Sequence, residues 1–525
     1  MNLSLKRLSL AATLTACTAL IAPANAIELN EIARFDHGVF DESAAEIIAY
    51  HAGSKSMYVV NANDDSIDVF TLGGADAASA TLAKTGVLPL EDGEGPNSVA
   101  VYGDLVAAAV AGSKKKGRPG KVVFFGTDGK RIQDVTVGSN PDMLAFTPDG
   151  KTVLTANEGE PYEGSDDGKH PAVDPEGSVS VIDVSDIGNG ISAENIGFDA
   201  FTTEALTEKG VRLFPGIEPK IDLEPEYLTI SGDGKTAWVT LQEANAIAIV
   251  DIAGKTVEDI VSLGLKDHSL ERNGLDSNDK ASPGDIRPHP FWGMYMPDGI
   301  ASYEVDGVTY LVTANEGDAR EEDTRLGKAN LDPSALTPEQ KALAGDRIKL
   351  SSIDGDTDGD GDIDKIHTYG ARSFTIWTSE GELVWDSGNE IAVKTLQQLG
   401  AENFNSHNEE NDSSDSRSDD KGAEPEEVDI ATLGGKQYAF VGLERVGGVM
   451  IYDVSDPKAP VFANYFNGRN FDPSLDAAGD DLTKIKDLGP EGITFISAED
   501  SPYGVPLLAV AYEVSGSIAV YEIKL

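Results

Sequence analysis

Short apolar runs alternate with tight polar turns along most of the chain, and the alternation follows one repeated grammar. Met143–Phe146 is an apolar run, Pro148-Asp149-Gly150-Lys151 is a turn, Thr152–Ala156 is a second run ending in Asn157-Glu158, and Ser178–Val184 is a third. The next unit repeats it: Leu228–Ile230, Asp233-Gly234-Lys235, Ala237–Leu241, Ala246–Ile252 and a fourth run, Thr256–Leu263. Runs of this length, rich in β-branched residues, predict strands. The Asp-Gly pairs supply the positive φ that a tight hairpin needs. Four short strands recurring about every 45 residues is the period of a propeller blade.

Each unit but the first opens on a proline followed by an acid or its relative. The sharpest copy is Leu223–Tyr227, L-E-P-E-Y. Others are N-P-D-M-L at Asn140–Leu144, M-P-D-G-I at Met296–Ile300, E-P-E-E-V at Glu424–Val428 and G-P-E-G-I at Gly489–Ile493. Weaker copies are G-P-N-S-V at Gly95–Val99 and A-A-E-I-I at Ala44–Ile48. The pattern predicts an all-β, seven-bladed propeller over residues 27–525. The last blade has only three strands of its own, Ile493–Ser497, Pro506–Glu513 and Ser517–Ile523, and Glu28–Phe35 reads as its fourth, so the two ends are expected to pair and remove an open edge.

The long insertions, 159–177, 264–295, 317–370, 386–423 and 467–488, fall after second strands or between blades. Both positions lie on one face of an up-and-down propeller, the expected place for a binding site on a rigid scaffold. Thr202–Gly210 predicts a short helix, and the polar, Ser-rich composition of Glu402–Gly422 predicts disorder.

Composition adds a strong charge. The chain carries 90 acidic and 41 basic residues, a net charge of −49. Such a surface repels nucleic acid and anionic lipid and favours cations, basic partners or mineral, although acidity of this kind also serves solubility alone. Lys6 and Arg7, the apolar Leu8–Ile21 and Ala24-Asn25-Ala26 read as an export signal over residues 1–26, so the protein is expected in the periplasm or outside the cell. Lipoprotein processing at Cys17, the single cysteine, is the alternative; the apolar residues continuing past it argue against it. No later apolar run is long enough to span a bilayer. A monomer is expected.

Placing the repeated acids at the starts of the innermost strands puts Glu46, Asn97, Asp142, Glu226, Asp298, Glu426 and Glu491 around the channel mouth. The ends of the second strands add Asn157 and Glu158, Gln242 and Glu243, Asn315 and Glu316, Glu444 and Glu513. Carboxylates at this density raise one another's pKa and call for cations. Oxygen donors with little nitrogen and no sulfur suit Ca²⁺, then Mg²⁺ or Mn²⁺. The competing reading is that these acids accept hydrogen bonds from loop N–H groups. A second cation signal is D-G-D-T-D-G-D-G-D-I-D, in which Asp356, Asp358, Asp360 and Asp364 fit an Asp-rich calcium loop. His367 stands where a helix-loop-helix site has its bidentate Glu, so the loop is not of that type. Arg320, Arg372, Arg417 and Arg445 are conspicuous on so acidic a face; each alone is better explained by salt bridges to adjacent acids, but as a group they form a candidate phosphate-binding set.

There is no G-x-S-x-G elbow, H-E-x-x-H, Walker loop or G-x-G-x-x-G, and the seven histidines show no zinc spacing. Catalytic residues are therefore not identified. Taken together, L-E-P-E-Y, T-A-N-E-G-D-A-R-E at Thr313–Glu321, the Asp-rich loop, G-A-R-S-F-T-I-W at Gly370–Trp377, S-R-S-D-D-K-G at Ser416–Gly422 and G-P-E-G-I make the chain resemble the choice-of-anchor I family, the bacterial group similar to mesenchyme-specific cell-surface glycoproteins of biomineralising animals. The resemblance implies an exported propeller with a cation-rich face. Members are often labelled alkaline phosphatase, which permits phosphoester chemistry. Tyr512 stands where the family usually has Asn before the Glu, and the chain ends at Leu525 where members often carry an anchor. The expected function is an acidic, calcium-binding surface or extracellular protein that touches mineral, glycan or an envelope protein. The alternative is a Ca²⁺-dependent phosphoesterase acting on phosphate esters through metal-activated water.

Overall fold

A computed structural model of the protein describes residues 27–91, 93–112, 118–161, 172–320, 322–472 and 484–525. The export segment and Cys17 lie outside the described residues, as do 162–171 and 473–483 of two insertions. Among the described residues, seven four-stranded antiparallel sheets account for most of the chain. The fourth is typical: Pro225–Ile230, Thr236–Leu241, Ala246–Asp251 and Thr256–Ser262, each strand pairing with the next. This is the meander of a β-propeller.

The strands are short because turns punctuate them, and both of their faces are buried because each sheet is sandwiched between two others. In Ser56–Asn61 every residue is buried. Met57 and Val59 pack against Leu507 and Ala509, whereas Tyr58 and Val60 pack against Val106 and Ala108 of the following sheet. The period of two thus sends alternate side chains to opposite neighbours. Full burial of each is worth about 1.5–3 kcal/mol.

Glu28–Asp36 pairs antiparallel with Ser517–Lys524, from Glu28 opposite Lys524 to Asp36 opposite Ser517, and completes the sheet of Pro490–Ile496 and Leu507–Tyr512. The helix expected near residues 202–210 is present as Thr203–Glu208, capped by the Thr202 side chain.

The insertions at 264–295 and 317–370 pack together where they are described. Phe291–Met294 pairs antiparallel with Leu265–Asp267 and parallel with Ile366–Thr368, joining two insertions in one sheet. Leu275, Phe291, Leu326, Leu350 and Ile366 give them a core of their own. The disorder expected for 402–422 is overturned: Asn405, Ser406, Asn408, Asp415, Ser418, Asp419 and Lys421 are all buried. Polarity misleads there because the polar groups satisfy one another. Asn405 Nδ2 donates to Ser418 Oγ at 2.9 Å, Ser418 Oγ donates to Asp415 Oδ1 at 2.6 Å, and Arg372 Nη2 donates to the carbonyls of Ser418 and Asp420 at 2.8 and 2.6 Å.

Neighbouring sheets come into backbone contact where their first strands begin. A Cβ on Gly492 would stand 2.3 Å from the Glu46 carbonyl oxygen of the adjacent sheet, whereas one on Gly95 would meet nothing within 4 Å. Gly492→Ala should therefore cost about 1–3 kcal/mol by forcing the sheets apart. Gly95→Ala should change stability by no more than about 0.5 kcal/mol. Urea unfolding of the two variants checks both; equal midpoints would contradict the packing.

Candidate functional site

The repeated proline-acid pair is a β-bulge. Pro225 pairs with Leu241 and Leu228 with Val239, so Glu226 and Tyr227 together face Thr240. The same two-against-one register places Asp142 and Met143, Glu426 and Glu427, and Glu491 and Gly492 opposite single residues. Hydrogen bonds show it at Glu46, whose N–H donates to the Val60 carbonyl while Val60 N–H donates to that of Ile47. Asp298 and Gly299 face Ala314 in the same way. A bulge re-aims one side chain and terminates regular pairing. Here five of the six bulge-borne acids, all but Glu226, reach one chamber. The chain pays locally: Asn140, Met296 and Glu424, each directly before the proline, hold φ of 47°, 45° and 55°. Such backbone costs about 1–3 kcal/mol each and clusters at functional sites.

Glu46, Asn97, Asp142, Asp298, Glu426 and Glu491 line one chamber of about 450 Å³. The residues following five of the repeats' acid positions, Ile47, Ser98, Met143, Tyr227 and Glu427, line both this chamber and a second of about 510 Å³ beneath it. They form the floor between the two. Glu226 borders neither chamber and answers instead to Glu158, Asp142 and Asp298.

The T-A-N-E motif divides into a structural and a functional half. Asn157 donates to the Ser178 carbonyl at 3.0 Å and to Ser180 Oγ at 2.8 Å, and Asn315 to Thr375 Oγ1 at 2.8 Å. These amides tie the second strand to the third. The glutamates that follow, Glu158 and Glu316, turn toward the acids. Asp298, Glu316 and Glu426 bring one oxygen each to within 4.8 Å of one another. Glu426 Oε2 is enclosed and has no hydrogen-bond partner among the described residues, while Glu316 accepts from Gln242 Nε2 at 2.8 Å.

A neighbouring triad, Glu316, Glu424 and Glu444, converges as closely but is neutralised by the protein's own cations. Lys421 Nζ lies 2.6 Å from Glu316, 3.0 Å from Asp318 and 3.0 Å from Glu424. Arg417 and Arg445 also bind Glu424, at 2.6 and 3.1 Å. Burial opposes the charge of Lys421, but Glu316, Glu424 and Asp318 outweigh it and hold its pKa well above normal. Burial likewise opposes the charge of Glu424, and Lys421, Arg417 and Arg445 reverse that and hold the carboxyl far below the usual range.

Among the described residues no salt bridge joins a cation to Glu46, Glu158, Glu226, Asp298, Glu426 or Glu491, whereas Arg445 reaches Glu444 at 3.0 Å. Burial first, then neighbouring carboxylates, raise Glu46, Glu158, Glu226, Asp298, Glu426 and Glu491 well above the carboxylate range. Burial pushes Asp142 to about 7, Glu444 to about 7 in spite of Arg445, and Glu427 to about 8 in spite of Tyr227.

The four candidate phosphate-binding arginines do not form one group. Arg320 pairs with Asp222 at 2.8 Å and Glu224 at 2.6 Å and lies over the Phe214 ring. Arg372 donates to the carbonyls of Asp276, Ser418 and Asp420. Arg417 and Arg445 share Glu424. In the Asp-rich loop, Asp356, Asp358 and Asp360 converge within 4.8 Å on the exposed surface, but Asp364 does not join them. It accepts from Thr357 N at 2.7 Å and groups with Asp332 and Asp362. Sequence reasoning passed over Lys421, Glu224 and Glu424. The signal was the doubled acid of E-P-E: in both copies the glutamate before the proline is buried and salt-bridged.

Two outcomes follow. Lys421→Met leaves Glu316 and Glu424 short of a counter-charge and should destabilise by about 3–5 kcal/mol, read by chemical unfolding; a loss below about 1 kcal/mol would remove Lys421 from this role. The second concerns pH. A carboxyl whose folded pKa is raised contributes stability fully below its unfolded value near 4, and that contribution is lost as pH rises through the folded value. With divalent cations chelated, the melting temperature should therefore fall between about pH 5 and 8, and Glu491→Gln should flatten the fall.

A helix long and apolar enough to cross a membrane is absent among the described residues. Residues 46–457 match the choice-of-anchor I domain. Gigasin-3a of Magallana gigas is 29% identical over 171 residues, covering 31% of this chain and 60% of that protein. The mesenchyme-specific cell surface glycoprotein of Strongylocentrotus purpuratus is 26% identical over 346 residues, covering 57% and 43%. The chain thus spans about half the length of these curated relatives. Among solved structures, streptogramin B lyase superposes with a TM-score of 0.45 at 9% identity over 95% of this chain and 98% of that one. The Cps50 (Swd1) β-propeller domain of Myceliophteria thermophila gives 0.45 at 8% over 95% and 100%. Hydrazine synthase of Kuenenia stuttgartiensis gives 0.44 at 15% over 93% and 97%. With the bulge-borne acids from Glu46 to Glu426 and both T-A-N-E-G motifs lying inside the matched span, the chain belongs to the choice-of-anchor I domain family.

Proposed function

We propose that the protein is an exported, surface or extracellular binding protein whose channel mouth takes up divalent cations, Ca²⁺ first. In this reading the seven sheets are the blades of a closed ring, sealed by the pairing of the terminal strands. The observation that carries it is the Asp298, Glu316 and Glu426 triad, with oxygens within 4.8 Å and one of them, Glu426 Oε2, enclosed without a partner among the described residues. Isolated carboxylates this close repel strongly, and a hard cation with six to eight oxygen ligands is the economical neutraliser. The chamber of about 450 Å³ leaves room for coordinated water or for an acidic group of a partner. The cell-surface name of one relative agrees with a location outside the cytoplasm. The export signal read in residues 1–26 points the same way. Asp356, Asp358 and Asp360 would hold a second, weaker cation that stiffens their loop.

A phosphoester reading would need Arg320, Arg372, Arg417 or Arg445 released from the carboxylates and carbonyls they now serve. Nothing in their arrangement favours it over binding.

Calorimetric titration of the chelator-treated protein tests the proposal. Ca²⁺ should bind, and Asp298→Asn with Glu426→Gln should weaken the tighter site by about tenfold or more, since each tenfold is about 1.4 kcal/mol. Asp356→Asn with Asp358→Asn should remove only the weaker site. Absence of binding in the parent protein would end the cation reading. Turnover of an aryl phosphate that survives in the parent and vanishes on chelation would replace it with the enzymatic one.

A further inference from the structure

A small cavity lies away from the channel, where two insertions meet the entry to a blade strand. Its wall includes His268 and Asn273 from one insertion, Ala371 and Arg372 at the entry to a blade strand, and Asn405 from the segment expected to be disordered. It has about 10 Å³ of space, the room needed for one water molecule.

Three enclosed polar atoms of residues on this wall have no partner among the described residues: His268 Nε2, Asn273 Oδ1 and Asn405 Oδ1. His268 is 1% exposed and Asn405 is 2% exposed. The surrounding hydrogen bonds decide what each orphan can do. His268 Nδ1 lies 2.6 Å from the Asn273 carbonyl, which can only accept, so the proton is on Nδ1 and Nε2 is an acceptor. Asn273 Nδ2 donates to the Asp267 carbonyl at 2.9 Å, which leaves its Oδ1 for the cavity. Asn405 Nδ2 donates to Ser418 Oγ, whose own proton goes to Asp415, so Asn405 also turns its oxygen inward. All three are acceptors. Leaving each unmet would cost about 1–3 kcal/mol.

We propose that this cavity is an internal water site, in which one water donates its two protons into the acceptor set of His268, Asn273 and Asn405. A cation is the wrong occupant. Arg372 is part of the wall, and the Lys266 ammonium donates to the carbonyls of Ala371 and Gly388 beside it at 2.9 and 2.8 Å. Positive charge already stands on two sides, so a neutral donor fits and a second cation does not. The water joins residues 268 and 273 to residue 405 across more than a hundred positions of sequence. Gly422 and Ala423 complete the wall next to Lys421, so the same water steadies the segment that carries the ammonium into the acid cluster. His268 Nε2 also lies against Gly293, where a Cβ would stand 2.5 Å from it.

A high-resolution crystal structure of the unsubstituted protein tests this directly. The expected result is one spherical peak at about 2.7–3.2 Å from at least two of the three acceptors. An empty cavity overturns the proposal, and so does a peak at about 2.0–2.4 Å, the distance of a metal ion. Nitrogen NMR of histidine-labelled protein gives an independent reading. His268 should carry its proton on Nδ1 at neutral pH, and a proton on Nε2 would reverse the donor pattern and sink the assignment. Water-deuteron relaxation dispersion should show one long-lived water fewer in Asn405→Leu than in the parent. An unchanged amplitude in a folded variant would also count against the site.

Discussion

Repulsion among buried carboxylates is the constraint on which the channel mouth is built. A regular strand would alternate its side chains and leave the acids spread between two faces. The repeated bulge removes that freedom by setting two residues against one, and it sets an acid at successive strand starts. Glycine in the second bulge position at Gly299 and Gly492 lets adjacent bulges approach to backbone contact, which draws the acids closer still. The positive φ at Asn140, Met296 and Glu424 belongs to the same local distortion.

The repulsion is met unevenly, and the unevenness separates structure from candidate function. On one side Lys421, Arg417 and Arg445 converge on Glu424 and satisfy it. Lys421 also reaches Glu316, so that carboxylate belongs to a satisfied cluster and an unsatisfied one at once. On the other side Asp298 and Glu426 form no salt bridge among the described residues, and burial with neighbouring carboxylates raises both. A charge cluster that is half completed by side chains differs from a generic acidic surface, where solvent would screen each group singly.

The insertions matter because they deliver those cations. Lys421 and Arg417 come from a polar segment that has no apolar core of its own. It is ordered by hydrogen bonds between side chains and main chain, and by Arg372, which clamps carbonyls from two insertions. The neighbouring insertions are joined by a parallel strand pair and a small apolar core. The elaborated face is therefore a second packed layer whose position sets which carboxylates are neutralised.

The strands and turns were legible in the chain because their signals are local. Alternation, Asp-Gly turns and the proline-acid repeat are spaced by a few residues, and so the four-stranded units, the Thr203–Glu208 helix and the pairing of Glu28–Asp36 with the last strand could be expected from them. The repeat also marked which acids gather. It could not show that Glu226 stands back from the chamber, that Asp364 leaves the Asp-rich loop's cluster, or that the arginines are committed to protein partners. Those outcomes depend on contacts such as Lys421 with Glu316 and Arg320 with Glu224, made between residues far apart in the chain. Composition failed for 402–422 for the same reason. A polar segment is disordered only if its polar groups face water, and here tertiary packing gave them one another. Local pattern determined where the acids are presented; the long-range placement of a few cations decided which of them remain unneutralised, because the energy of a buried charge is set by whatever lies nearest to it in space.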